Sequence, residues 1–115
     1  MQRRFRLTRR NDIKRVRQEG RSLANAVLVL GFLPNQLKQN RAAVIAGRSV
    51  GGAVQRNYAK RQIRTALQTL QPELDQGYDL LIIARKPILD NDYRAVVDGM
   101  RSLFLQAGLL KENLN

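Results

Sequence analysis

The stretch Tyr78–Ala84 (Tyr-Asp-Leu-Leu-Ile-Ile-Ala) is an almost unbroken apolar run. A run of this length and kind marks a central β-strand covered on both faces, so the rest of the chain has to supply the cover. With 115 residues there is room for one core and no second domain. The hydrophobic share of 43% is that of a globular protein and too high for a disordered tail.

The other elements are placed around that strand. Thr8 or Asn11 is expected to cap a helix over about residues 11–18, with Ile13 and Val16 inward and Gly20 as its left-handed stop. Leu23–Leu33, interrupted by Asn25 and ended by Pro34-Asn35, reads as a buried strand, either continuous or bent into two. Residues 35–41 are polar and read as a hairpin loop, which makes Ala42–Gly47 a strand antiparallel to its predecessor. Gly51-Gly52 turns into a helix that runs to Leu70, where Ala59, Ile63, Ala66, Leu67 and Leu70 form a core-facing stripe and Pro72 follows. After the central strand, Asp90 or Asn91 is expected to cap a last helix in which Tyr93, Val96, Val97, Met100, Leu103, Phe104 and Ala107 follow helical spacing, stopping at Gly108. The fold class is α/β of the α+β kind: a two-layer sandwich with three helices and about four strands in one mixed sheet. Residues 1–8 read as a basic arm and 109–115 as a frayed tail.

Charge indicates the partner. Lys and Arg total 21 against 9 Asp and Glu, a net +12, and residues 1–64 hold 16 of the cations with only Asp12 and Glu19 opposing them. A polyanion fits that half of the chain. Arginine predominates, and its planar fork suits phosphates and bases, so nucleic acid is favoured over a membrane surface. The longest apolar stretch is about half the roughly 20 residues of a membrane span, and no signal peptide is legible at the N-terminus, so a cytoplasmic protein is expected. The chain has no Cys and no His, which excludes zinc fingers, thiol nucleophiles and histidine bases.

Along the long helix, Arg56, Asn57, Lys60, Arg61 and Arg64 share an arc of about 140° centred well away from the apolar stripe. Like charges at i, i+4 repel, so folding gives no reason for this stripe and an external anion does. The aromatics Phe5, Phe32, Tyr78, Tyr93 and Phe104 lie in apolar patterns and are assigned to the core; Tyr58 stays open between packing and stacking. Asp90 and Asp92 are explained by helix capping rather than a metal site, and Gly51-Gly52 lacks Walker spacing.

The segment Arg48–Arg64, with Gly51, Ala53-Val54, Arg56-Asn57, Lys60-Arg61 and Arg64 at these spacings, closely resembles the signature of the bacterial ribonuclease P protein subunit. Leu7-Thr8, Glu19-Gly20-Arg21-Ser22 and Ile82-Ile83-Ala84-Arg85-Lys86-Pro87 agree in order, so the resemblance spans nearly all of residues 5–107. It implies a small protein that assists a catalytic RNA in magnesium-dependent endonucleolytic removal of the 5′ leader from precursor tRNA, with Mg2+ held mainly by RNA and no protein side chain catalytic. It implies a left-handed strand-helix-strand crossover through the signature helix, against the usual right hand. It implies that Arg48, Arg56, Asn57, Lys60, Arg61 and Arg64 bind RNA, with Asn57 alternatively helping to organise a divalent ion. Partners would be the catalytic RNA, in a 1:1 complex with monomeric protein, and precursor tRNA, with neither a membrane nor a small-molecule substrate.

The resemblance also places the leader in a cleft between the first helix and the sheet, and there this chain departs from the family. Ile13 and Arg17 stand where two aromatics are usual, Gly31 stands where the strand aromatic is usual with Phe32 beside it, and Tyr58 replaces an Arg. The cleft set read from the sequence is therefore Arg10, Ile13, Lys14, Arg17, Phe32 and Tyr58, with phosphate contacts and guanidinium stacking in place of aromatic platforms. Two other classes are weighed beside this one. A structural RNA-binding protein of ribosomal type shares the charge and the fold, and a self-sufficient nuclease would need converging carboxylates that the basic half lacks.

Overall fold

The computed structural model describes residues 5–111. Three helices, α1 (Arg10–Glu19), α2 (Ala53–Leu70) and α3 (Tyr93–Ala107), accompany four strands, β1 (Arg21–Ala24), β2 (Leu28–Pro34), β3 (Arg41–Ile45) and β4 (Tyr78–Ala84). Short 3-10 turns at Gln71–Glu73 and Lys86–Asp90 follow α2 and β4, each with a proline in its first turn. The sheet order is β1-β2-β4-β3, so the most apolar strand takes an interior position as expected.

The two faces of the sheet are covered differently. Leu28, Leu30 and Phe32 of β2 and Leu80, Ile82 and Ala84 of β4 meet Ala59, Ile63, Ala66, Leu67 and Leu70 of α2 and Val96, Val97, Met100, Leu103 and Phe104 of α3 in one large core. The alternate residues, Gly31, Leu33, Leu81, Ile83, Ala43 and Ile45, face α1. There the buried cluster is only Leu7, Val16, Ala43 and Leu81, with Ile13, Leu33, Ile45 and Ile83 partly covered. This division follows from the period-2 alternation of side chains along a strand.

Several expectations are corrected. The Leu23–Leu33 run is an antiparallel hairpin, Arg21 opposite Phe32 through Ala24 opposite Val29, because Asn25 folds the turn. Its Oδ1 accepts from the backbone N–H groups of Val27 and Leu28 at 3.0 and 3.1 Å. β3 does not pair with β2; it runs parallel to β4, which lies between them antiparallel to β2. The polar loop is consequently no hairpin but a crossing over the end of β4. Buried Asn40 pins it there, donating to the Asp75 carbonyl at 2.8 Å and accepting from the Tyr78 N–H at 2.8 Å. The parallel pair β3–β4 is joined through α2 in a strand-helix-strand connection.

At the helix ends, α1 starts one residue earlier than expected, and neither Thr8 nor Asn11 caps it: Arg9 is the N-cap, without a side-chain bond. Gly20 is extended (φ −76°, ψ 169°) rather than left-handed. Its necessity is steric, since a Cβ would lie 2.5 Å from the Val16 carbonyl oxygen and 2.7 Å from that of Phe32. Asp92, not Asp90 or Asn91, caps α3 by accepting from the Ala95 N–H at 2.8 Å. Gly108 is the expected left-handed stop. The described parts of the arm and tail are docked: buried Leu7 donates to the Ala42 carbonyl at 2.8 Å, Leu109 is buried, and the Lys111 N–H reaches the Glu73 carbonyl at 2.7 Å. Residues 1–4 and 112–115 lie outside the described residues.

Candidate nucleic-acid interface

The stripe on α2 is built by the turn that precedes it. Val50 is buried and anchors residues 47–50, and Gly51 takes φ 150°, a conformation open to glycine. A Cβ there would press to 3.0 Å on the Gln55 side chain. This turn leaves Arg48 exposed beside the start of α2, whose N-terminal N–H groups have no side-chain cap and no acidic residue in the first turn. The dipole end is thus positive and uncompensated, next to Arg48 and Arg56. The buried residues of α2 are the five expected, which turns Asn57, Arg61 and Arg64 to solvent with Arg56 and Lys60 half-buried at the margin. None of Arg48, Arg56, Lys60, Arg61 and Arg64 forms an ion pair with a described residue. All five charges remain available for an external anion.

The cleft is on the other face. α1 lies directly on β2 at Gly31, where a Cβ would meet Val16 Cγ1 at 3.4 Å, an ordinary van der Waals contact. The position that carries an aromatic in the resemblance is here taken up by helix packing. On one flank α1 is held by ions. Asp79, with its side chain fully buried, receives Arg41 bidentately (Nε to Oδ1 and Nη2 to Oδ2, both 2.8 Å) and Asn35 Nδ2 at 3.0 Å. Arg15 of α1 approaches the same carboxylate at 3.8 Å, and Arg41 also reaches Asp12 of α1 at 3.6 Å. The hydrogen bonds to Asp79 hold the Arg41 pKa above its ordinary value.

The opposite flank of α1 carries Ile13, Arg17, Arg10 and Lys14 within an arc of about 100°. It borders the row Val29, Ile83 and Ile45, which register sets side by side across β2, β4 and β3 and which stays only partly buried. An apolar floor with a basic wall results. It lies at the end of the sheet where β3 leaves for Arg48 and α2, so cleft and stripe share one end of the molecule.

Two residues assigned to the cleft from sequence are elsewhere. Phe32 points into the large core on the far face, as strand alternation requires, with the Arg21 guanidinium 5.8 Å from its ring centroid. Tyr58 lies on α2, which packs on that far face, and lines a depression with Leu89 rather than the α1 cleft. The apolar floor and the ionic flank are absent from the sequence-based site set. An Asp inside an otherwise apolar strand was the available signal for Asp79. The floor depends on β3–β4 register, which local pattern does not reveal. Among the described residues no three acidic side chains gather as a metal site, and no helix is long and apolar enough to cross a membrane.

Comparison with known proteins gives one family throughout. The Ribonuclease P family model matches residues 1–108. The ribonuclease P protein component of Chloroflexus aurantiacus is 39% identical over 116 residues, spanning 100% of this chain and 86% of the relative. That of Symbiobacterium thermophilum is 38% identical, spanning 96% and 97%. Among solved structures, the RNase P protein from Thermotoga maritima superposes with a TM-score of 0.80 at 28% identity, covering 88% of this chain and 96% of that one. The Staphylococcus aureus RNase P protein has the same fold, with a TM-score of 0.83 at 24% identity over 93% and 98% of the two chains. A family model over residues 1–108 and relatives at 38–39% identity across nearly the whole chain establish that the protein belongs to the ribonuclease P protein component family.

Proposed function

We propose that this chain is the protein subunit of a ribonuclease P ribonucleoprotein, binding the catalytic RNA through Arg48 and the α2 stripe and the 5′ leader of precursor tRNA in the α1 cleft. The observation that carries this is the set of five cations on and beside α2 with no intramolecular ion-pair partner among the described residues. Counterion release makes such a surface a strong, salt-sensitive ligand for phosphates. In the cleft, Arg10, Lys14 and Arg17 would neutralise leader phosphates while bases lie over Val29, Ile45 and Ile83. The protein's contribution is charge stabilisation and positioning; phosphodiester hydrolysis belongs to Mg2+ held mainly by RNA phosphates. A monomer in a 1:1 complex with the RNA, in the cytoplasm and independent of membranes, completes the assignment.

The test is cleavage of a 5′-extended precursor tRNA by a bacterial ribonuclease P RNA at low magnesium, with and without the protein. Protein-dependent cleavage at the mature 5′ end is expected. RNA binding without stimulation across a magnesium series, with a cognate RNA included, would overturn the processing role and leave a structural RNA-binding protein.

A further inference from the structure

We propose that α2 carries, beside its cation stripe, a docking site for a single unstacked nucleobase of RNA, formed by Tyr58, Arg61, Val54 and Leu89. The site deepens the RNA-binding assignment and rests on it.

The geometry is that of a small flat receptor. Val54, Gln55, Asn57, Tyr58, Arg61 and Leu89 line a depression of about 500 Å³ at the start of α2, within the size range of ligand pockets. Leu89 comes from the 3-10 turn after β4, so two separate elements form the walls. The Tyr58 ring is held in place: its hydroxyl accepts from Gln62 Nε2 at 2.7 Å, and the Arg61 guanidinium stands 6.0 Å from its centroid. A planar cation over a planar ring is the surface on which a base stacks. Val54 is 80% exposed, the most exposed large hydrophobic residue described, on the first full turn of a basic helix. Folding gives no return on that exposure, whereas an apolar base face would cover it.

Charge selects a nucleotide over other flat ligands. Among the described residues the lining holds a cation and no acidic side chain, and Arg56, Lys60 and Arg64 follow on the adjoining arc of the same helix, without ion pairs to those residues, to meet the flanking phosphates. Asn57, exposed on the rim, offers a donor and an acceptor to a base edge. An acidic or hydrophobic protein segment would not use the ring and guanidinium pair together with that phosphate track.

The experiment measures equilibrium binding of a bacterial ribonuclease P RNA to the full chain over a salt series, with base-specific chemical footprinting of the RNA. Tyr58→Ala should weaken binding by roughly five- to a hundredfold, the range for loss of one stacked base. The salt slope should stay unchanged, since no phosphate contact is lost. Tyr58→Phe, which keeps the ring, should bind within about twofold of wild type. One or a few unpaired nucleotides should be protected by wild type and Tyr58→Phe and exposed with Tyr58→Ala. Val54→Asn, at a largely exposed position, should weaken binding in the same slope-neutral way and decides the matter if Tyr58→Ala fails to fold. Wild-type affinity or an unchanged footprint in the folded variants would overturn the base site and leave RNA binding by the stripe intact. A wild-type chain that does not bind the RNA at all would overturn the RNA assignment itself, and the base site with it.

Discussion

The two faces of the sheet are built on opposite plans. Against α2 and α3 the sheet buries a continuous apolar core that includes Phe104, Leu30, Ile82 and Met100, none more than 1% exposed. Against α1 the buried apolar cluster among the described residues is only Leu7, Val16, Ala43 and Leu81, and the helix is held at its other contact by Asp79, Arg41, Arg15 and Asp12. Apolar burial is non-directional and tolerates small shifts, while a bidentate Arg–carboxylate pair fixes position and angle. One face therefore supplies stability, and the other sets where a helix stands above an uncovered floor. A cleft beside α1 needs the second plan, because a larger apolar contact would close it.

The sharpest way to break the contrast is to damage the large core. Phe104→Ala should cost about 3–5 kcal/mol, the range for truncating a fully buried aromatic, and destabilise all elements together. Denaturant titration followed by separate probes in α1 and α3 checks this, with coincident transitions expected. If α1 melted separately after this change, the large core would not be what holds the molecule together.

A smaller and more local effect is expected at Asp79. Asp79→Asn keeps the shape but removes the charge that binds Arg41 and Arg15, for an expected loss of about 1–3 kcal/mol, the range for a charged hydrogen-bonding group left imperfectly paired. Native-state hydrogen exchange should show lost protection in α1 while α3 keeps its own. If protection fell equally in both helices, the ionic flank would be part of the general core rather than a device that places α1.

The unequal faces also explain what could be read from the sequence. The apolar positions of α2 and α3 assigned inward are buried except Tyr93 and Ala107 at the two ends of α3, which are partly covered, because helical periodicity is local and the large core uses it directly. The cation stripe was legible for the same reason. What escaped was non-local: the partner of β3, the Val29–Ile83–Ile45 floor that its pairing with β4 creates, and the partners of Asp79. Phe32 and Tyr58 were drawn to the cleft by the positions of the resemblance, and strand alternation and the packing of α2 take them to the other side. The loop at Asn40 shows the cause, since its partners Asp75 and Tyr78 are more than 30 residues further on.

The smallest effects separate charge kept for folding from charge kept for a partner. Arg101 on α3 meets Glu73 at 3.2 Å and Asp98 at 3.5 Å, all partly exposed, so Arg101→Ala should lower stability by less than about 1 kcal/mol, within the range for solvent-screened pairs. RNA affinity and its salt slope should not change. Arg64 on α2 has no such partner among the described residues, so Arg64→Ala should leave stability within about 0.5 kcal/mol. It should instead weaken RNA binding by about 1 kcal/mol and lower the salt slope by roughly 0.7–0.9, the value of one phosphate contact. Thermal melts and filter binding of the same two proteins compare these directly. If Arg101→Ala flattened the slope as much as Arg64→Ala, the RNA would be reading net charge, and the placement of the stripe on α2 would carry no specificity.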